Sequence, residues 1–372
     1  MMGLAMLFGA GVFCVSVRPS TSSDVSHPRR RMDISNQYAT REDQIDRWWS
    51  EVEHSVPWEI GGLPNIMFVK SHKVGSSSMS NLIRLIAARN GGIPREYFYT
   101  VTTTDYFYAK KELHPLEEGI HIWTDHQTLS SLLESGESMM IKESFKLALV
   151  RDPVDRCLSS FYYYRISKDR GLKLKHLSDK DLTQMKLEFD YCGKSAKLSA
   201  QMYEVGPKGI ASSVEETLGF YDLVAVTGRY TESLAVMQMI LGLRYGDMLY
   251  FNDKYHPGKR PPVSEEPPEV IEHMKSLVAQ ADWDLFYSAD LQLTETIEML
   301  EPEFTVVHNR LTESLTNARL HCDEEHAHLS RGYRLPEAMG CFSGGNCMLS
   351  CLNKFATDHD LWDGPVRADL RA

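Results

Sequence analysis

Two segments of this chain combine small, hydroxylic and basic residues in the way an anion site requires. The first is Lys70-Ser71-His72-Lys73-Val74-Gly75-Ser76-Ser77-Ser78. It follows the apolar run Ile66-Met67-Phe68-Val69, whose β-branched and aromatic members predict a buried strand. It precedes Met79, Leu82, Ile83, Ile86 and Ala87, which share one helical face, with Gly91-Gly92 as the stop and with Arg84 and Arg89 pointing elsewhere. In such a strand–loop–helix unit the small residues let backbone N–H groups approach an anion, and the helix start adds its positive dipole end. Lys73 supplies a mobile cation, and Ser76, Ser77 and Ser78 supply hydroxyl donors. A Ser-rich cap on an ordinary helix has the same local look.

The second segment, Leu147-Ala148-Leu149-Val150-Arg151-Asp152-Pro153, is again a strand running into a turn and a helix. Arg151 leaves the strand end, where ligands gather in open α/β sheets. Pro153 suits the first helical turn. Ser159, eight residues beyond Arg151, lies two turns along and can share a phosphate with its guanidinium. Nucleotide triphosphatase loops carry their lysine after the last glycine of G-x-x-x-x-G-K-[ST], whereas here Lys73 precedes the only glycine of the loop, Gly75. The order and the spacing exclude that class.

Taken together, Lys73-Val74-Gly75-Ser76-Ser77 and Arg151-Asp152-Pro153-Val154-Asp155-Arg156-Cys157-Leu158-Ser159-Ser160-Phe161-Tyr162-Tyr163 resemble the Golgi carbohydrate sulfotransferases. The chain is most similar to their galactose-3-O-sulfotransferase group, galactosylceramide sulfotransferase and its relatives. The stretch Tyr221-Asp222-Leu223-Val224 through Asp247-Met248-Leu249-Tyr250-Phe251 adds to the likeness, which covers roughly residues 64 to 300 and is poorest over 165–220. The resemblance implies a P-loop-like sulfotransferase fold and the donor 3′-phosphoadenosine 5′-phosphosulfate (PAPS), with no metal required. It implies that Lys73, Gly75, Ser76, Ser77 and Ser78 hold the 5′-phosphosulfate, and that Arg151 and Ser159 hold the 3′-phosphate. The acceptor would be a hydroxyl of a glycan or glycolipid, with galactose O-3 suggested and a uronic acid or another hexose open. A non-catalytic nucleotide- or glycan-binding protein that keeps the fold is the rival reading.

Sulfuryl transfer is an in-line displacement in which charge builds on the departing phosphate's bridging oxygen, and Lys73 is the candidate to stabilise it. Lys70 and His72 flank it. The acceptor hydroxyl needs a base, and the resemblance places a histidine near His126, with His121 and Glu143 less supported. Tyr162, Tyr163 and Tyr164 are read as core aromatics, and His256-Pro257-Gly258-Lys259-Arg260 as an exposed turn.

The elements that must position these residues follow from periodicity. Further strands are predicted at Tyr97–Thr102, Ile120–Trp123, Phe145–Val150, Leu223–Val226 and Met248–Phe251. Helices are predicted after Asp152, at Tyr230–Leu241 (capped by Thr231 and ended by Gly242) and at Glu269–Ala281. Alternation of the two predicts an α/β fold with a central, mainly parallel sheet flanked by helices. Residues 1–17 carry no charged side chain and read as a signal-anchor or signal peptide, 18–47 as a stem, 48–320 as the catalytic domain and 321–372 as a Cys-containing extension. That layout, with the resemblance, gives a Golgi membrane protein with a lumenal catalytic domain.

The net charge of −11 speaks against nucleic acid as a partner, while leaving room for a local basic site. Of seven cysteines, Cys341, Cys347 and Cys351 fall in a C-x5-C-x3-C run that lacks the paired spacing of a zinc site; disulfides and free thiols stay open.

Overall fold

The structure is a computed structural model that describes residues 63–90, 122–125, 128–134, 144–162, 200–250, 263–332 and 349–362. All of these lie in one compact unit, Tyr38–Ala372. Strand β1 (Asn65–Val69) is followed by helix α1 (Ser76–Arg89), β2 (Ile122–Asp125), α2 (Leu129–Glu134), β3 (Ser144–Val150) and α3 (Pro153–Phe161). Beyond residue 199 come α4 (Ala200–Val205), α5 (Val214–Phe220), β4 (Leu223–Val226) and α6 (Tyr230–Leu241), then α7 (Pro268–Leu277), α8 (Gln280–Leu300), α9 (Glu303–Gly332) and α10 (Leu349–Asp358).

The four strands form one sheet in the order β2-β1-β3-β4, and every pairing is parallel. Parallel strands are covered on both faces, which is why β1 and β4 read as unbroken apolar runs. Val69 stands opposite Asp125 on one side, and Phe68 opposite Leu147 on the other. The chain steps outward from β1 in one direction and from β3 in the other, so the crevice between their carboxyl ends is the switch point where α/β sheets bind ligands. Both anion-type segments leave the sheet there.

Strands β3 and β4, and the α1 face of Met79, Leu82, Ile83, Ile86 and Ala87, are buried as expected. Gly242 ends α6 in the left-handed conformation at φ 61°, while Arg229 rather than Thr231 stands at its N-cap. Asp152 caps α3 by accepting from Asp155 N–H, with Pro153 in the first turn.

Four expectations need correction. Of the strand expected over Met248–Phe251, the described residues Met248–Tyr250 form none: Gly246–Met248 is a single 3₁₀ turn, and the carbonyls of Asp247 and Leu249 accept from Arg89 Nη1 at 2.9 and 2.7 Å. A buried guanidinium thus replaces the sheet partner that this apolar run was expected to need. Arg89 accordingly turns inward. The helix expected over Glu269–Ala281 breaks at Val278 and Ala279, both extended. That break starts α8 at Gln280 and lets the Asp282 carboxylate accept from Gln201 and Met202 N–H at the start of α4.

Lastly, the stretch read as an extension from residue 321 starts inside α9 and contributes Cys351, Leu352, Phe355 and Leu361 to the main core. A Cys322–Cys351 disulfide joins α9 to α10. Cys157, buried in α3, is also disulfide-bonded, to a partner outside the described residues. Residues 1–62, Tyr97–Thr102, His121, His126, Glu143, Tyr163, Tyr164 and His256–Arg260 lie outside the described residues.

Candidate functional site

The loop after β1 is held from behind by side chains of three other elements. Arg156 Nε, from α3, donates to His72 O at 2.9 Å. Arg151 Nη1, at the end of β3, donates to Lys73 O at 3.0 Å. Thr227 Oγ1, just past β4, lies 2.5 Å from Val74 O and 2.9 Å from Val150 O, so its one proton joins loop and strand in turn. Three consecutive carbonyls are therefore tied to the protein side. A trans peptide points its C=O and the next N–H in opposite directions, so the N–H groups of Lys73, Val74 and Gly75 are aimed away from those donors. Successive N–H groups held this way form an anion-binding concavity.

The backbone needed for that shape is unusual at two positions. Gly75 has φ 86°, and Lys73, a residue with a side chain, has φ 64°. A Cβ at Gly75 would meet only Thr227 Cγ2 at 3.7 Å and Leu149 Cδ2 at 3.9 Å. Space is available there, so it is the left-handed conformation that calls for glycine. At Lys73 that conformation costs on the order of 1–3 kcal/mol, and the surrounding bonds must supply it.

Helix α1 starts at Gly75 with no side-chain cap and no acid in its first turn. By contrast α3 is capped by Asp152 and α5 by the Ser213/Glu216 capping box, with Glu215 and Glu216 in its first turn. An acid at the start of α1 would compete with an incoming anion for the same N–H groups. Ser76 is buried, Ser77 and Ser78 are half-buried, and Gly75 is exposed.

Arg151 is more heavily engaged than its sequence context suggests. Besides Lys73 O, it meets Asp155 through Nε and through Nη2, each at 2.5 Å. Its main chain is paired to the Gln201 amide, N–H to Oε1 at 2.9 Å and O to Nε2 at 2.9 Å. Gln201 is fully buried and is itself set by Asp282 of α8. Ser159 is half-buried on α3, two turns from Arg151. Tyr162 is buried, as a core aromatic, and donates to Glu266 Oε1 at 2.5 Å.

The sequence-predicted residues Lys73, Gly75, Ser76, Ser77, Ser78 and Arg151 are brought to one sheet end, with Ser159 further along α3. Sequence reasoning missed Glu204, Gln201 and Thr227, and left Arg156 without a role. Thr227 carried one usable signal, a polar residue at the first position past a parallel strand. Glu204 and Gln201 carried none, since they reach the site across 132 and 50 residues of chain. Among the described residues no group of His, Cys, Asp and Glu side chains is arranged to hold a metal ion.

A backbone concavity at a helix start, a lysine in it and an arginine from the adjacent strand end can hold a phosphorylated or sulfated group and stabilise charge leaving it. Residues 63–195 match the model of the Sulfotransferase family. That region contains both segments, the loop and the Arg-Asp-Pro turn, and stops short of β4. No curated protein matches the chain. A crystal structure of a sulfotransferase from Alicyclobacillus acidocaldarius is similar at 14% identity over 63% of this chain and 96% of that one, with a TM-score of 0.33. The loop and the adjacent strand end, with their cation and backbone donors, fall within the stretch that matches this family model.

Proposed function

We propose that this protein is a sulfotransferase that moves the sulfuryl group of PAPS to a hydroxyl of a glycan or glycolipid, with galactose O-3 the leading acceptor position. The observation that carries the reading is the loop His72–Val74, its three carbonyls tied back by Arg156, Arg151 and Thr227, in a region that matches the sulfotransferase family. In this reading Lys73, Gly75, Ser76, Ser77 and Ser78 hold the 5′-phosphosulfate. Arg151 and Ser159 hold the 3′-phosphate, which competes with Asp155 for one guanidinium.

The acceptor oxygen forms its bond to sulfur as the bond from sulfur to the bridging oxygen breaks. The electron pair leaves on the 5′-phosphate, where Lys73 opposes the new charge, and the acceptor proton passes to His126 as base. A Golgi lumenal setting with an N-terminal anchor in residues 1–17 agrees with two disulfide-bonded sites, Cys322–Cys351 and Cys157, since disulfides persist in oxidising compartments.

The test is calorimetric titration with 3′-phosphoadenosine 5′-phosphate (PAP) and with AMP, followed by transfer from radiolabelled PAPS to galactosyl lipids, galactose-terminated glycans and uronic acid polymers. The proposal expects PAP to bind at least about tenfold more tightly than AMP, as a charge-assisted 3′-phosphate contact implies, and label to appear on a galactose acceptor. Equal binding of PAP and AMP, or binding with no transfer to any acceptor, would overturn it.

A further inference from the structure

Glu204, near the end of α4, grips one loop residue at two places. Its Oε2 accepts from His72 N–H at 3.0 Å, and its Oε1 lies 2.5 Å from His72 Nδ1. Arg156 Nη2 is 3.7 Å from Oε2, beyond hydrogen-bond range. The carboxylate is thus committed to the loop first, and its pairing with the buried Arg156 is secondary. Arg156 in turn binds His72 O, so His72 is fixed at its N–H, its C=O and its ring.

The next residue is Lys73, held at φ 64°. A lysine enters the left-handed region only when its neighbours over-determine it. Fixing both main-chain groups of His72, together with Arg151 on Lys73 O, provides that over-determination. The position of Glu204 is itself determined, because Asp282 holds the start of α4 and Tyr221 Oη donates to Val205 O at 2.8 Å next door. Among the described residues, Glu204 from α4 and Arg156 from α3 bind His72, and Arg151 from the end of β3 binds the next carbonyl.

We propose that Glu204 is a positioning residue for Lys73: by fixing His72 at its main chain and ring, it sets the left-handed turn that aims the Lys73 ammonium at the bridging oxygen. The inference rests on the sulfuryl-transfer reading. It separates Glu204 from a plain ion-pair residue, because binding and turnover should respond differently to its loss.

The experiment compares wild type, Glu204→Ala and Glu204→Gln by PAP titration, steady-state transfer from PAPS and thermal unfolding. Alanine removes both grips, whereas glutamine keeps an oxygen for the His72 N–H. The expected result is a kcat about 100-fold lower in Glu204→Ala, PAP affinity within about threefold of wild type in both variants, and recovery of at least about tenfold in Glu204→Gln. Unchanged kcat in Glu204→Ala overturns the inference, as does a parallel fall of kcat, PAP affinity and unfolding temperature, which is the mark of a merely structural residue. Wild-type protein that neither binds PAP nor transfers sulfate overturns the function itself, a different signature from either.

Discussion

Helix α1 has two ends made of similar residue types and put to opposite uses. At its start, arginine side chains bind carbonyls of the His72–Val74 loop from behind, and the helix opens on an exposed glycine without a cap. At its other end, Arg89 binds the carbonyls of Asp247 and Leu249 and the Asn353 side chain, and Arg244 pairs with Asp247 at 2.9 Å. Trp362 covers that end, with the guanidinium carbons of Arg89 and Arg244 at 5.8 and 5.0 Å from its ring. Burial lowers the Arg89 pKa to about 10, with Asp247 opposing that shift, while its bond to Asp247 pushes Arg244 above its ordinary value. The same chemistry, guanidinium on carbonyl, seals one end and arms the other. What differs is what lies in front of the carbonyls: a packed C-terminal segment at the far end, and outward-facing N–H groups at the near one.

The comparison predicts that damage at the far end lowers stability and spares turnover per folded molecule, and that damage at the near end does the reverse. The largest stability loss is expected from Arg89→Met, at about 3 kcal/mol, because the carbonyls of Asp247 and Leu249 lose their donor in a buried setting. Urea unfolding should show it, with PAP affinity of the folded fraction preserved. Opening the Cys322–Cys351 bridge by Cys322→Ser follows at about 3 kcal/mol, from the loop of 29 residues it closes. A denaturant midpoint that does not move would contradict the place of α10 in the core.

Gly75→Ala sharpens the contrast from the near side. Its stability cost is about 1 kcal/mol, from the left-handed backbone alone, yet transfer should fall by more than tenfold because the N–H groups turn. Ser213→Ala, in the capping box of α5 away from the loop, is the smallest effect: about 1 kcal/mol in unfolding and no change in turnover.

The sequence made the sheet and the front of the site legible because both depend on local pattern. Runs such as Leu147–Val150 and Leu223–Val226 are hydrophobic enough to be strands on their own, and Gly75 beside serines marks a helix start. The back of the site was illegible because its residues act across long sequence separations: Glu204 on His72, Thr227 on Val74. Composition misled where tertiary bonds replaced secondary structure. Met248 and Leu249 look like a strand, but the carbonyls of Asp247 and Leu249 are met by Arg89, a residue whose periodicity had pointed it away from the apolar face. The cysteines near the C-terminus lacked a readable pairing, since spacing alone does not say that α9 and α10 lie side by side.

The most direct test of the central claim is Lys73→Ala, with transfer from PAPS and PAP affinity measured on the same preparation. Catalysis by charge stabilisation at the bridging oxygen predicts a kcat lower by about 10²–10³ with PAP binding reduced by no more than about tenfold and the unfolding temperature unchanged. Full turnover without the lysine, or loss of binding and activity in equal measure, would contradict it.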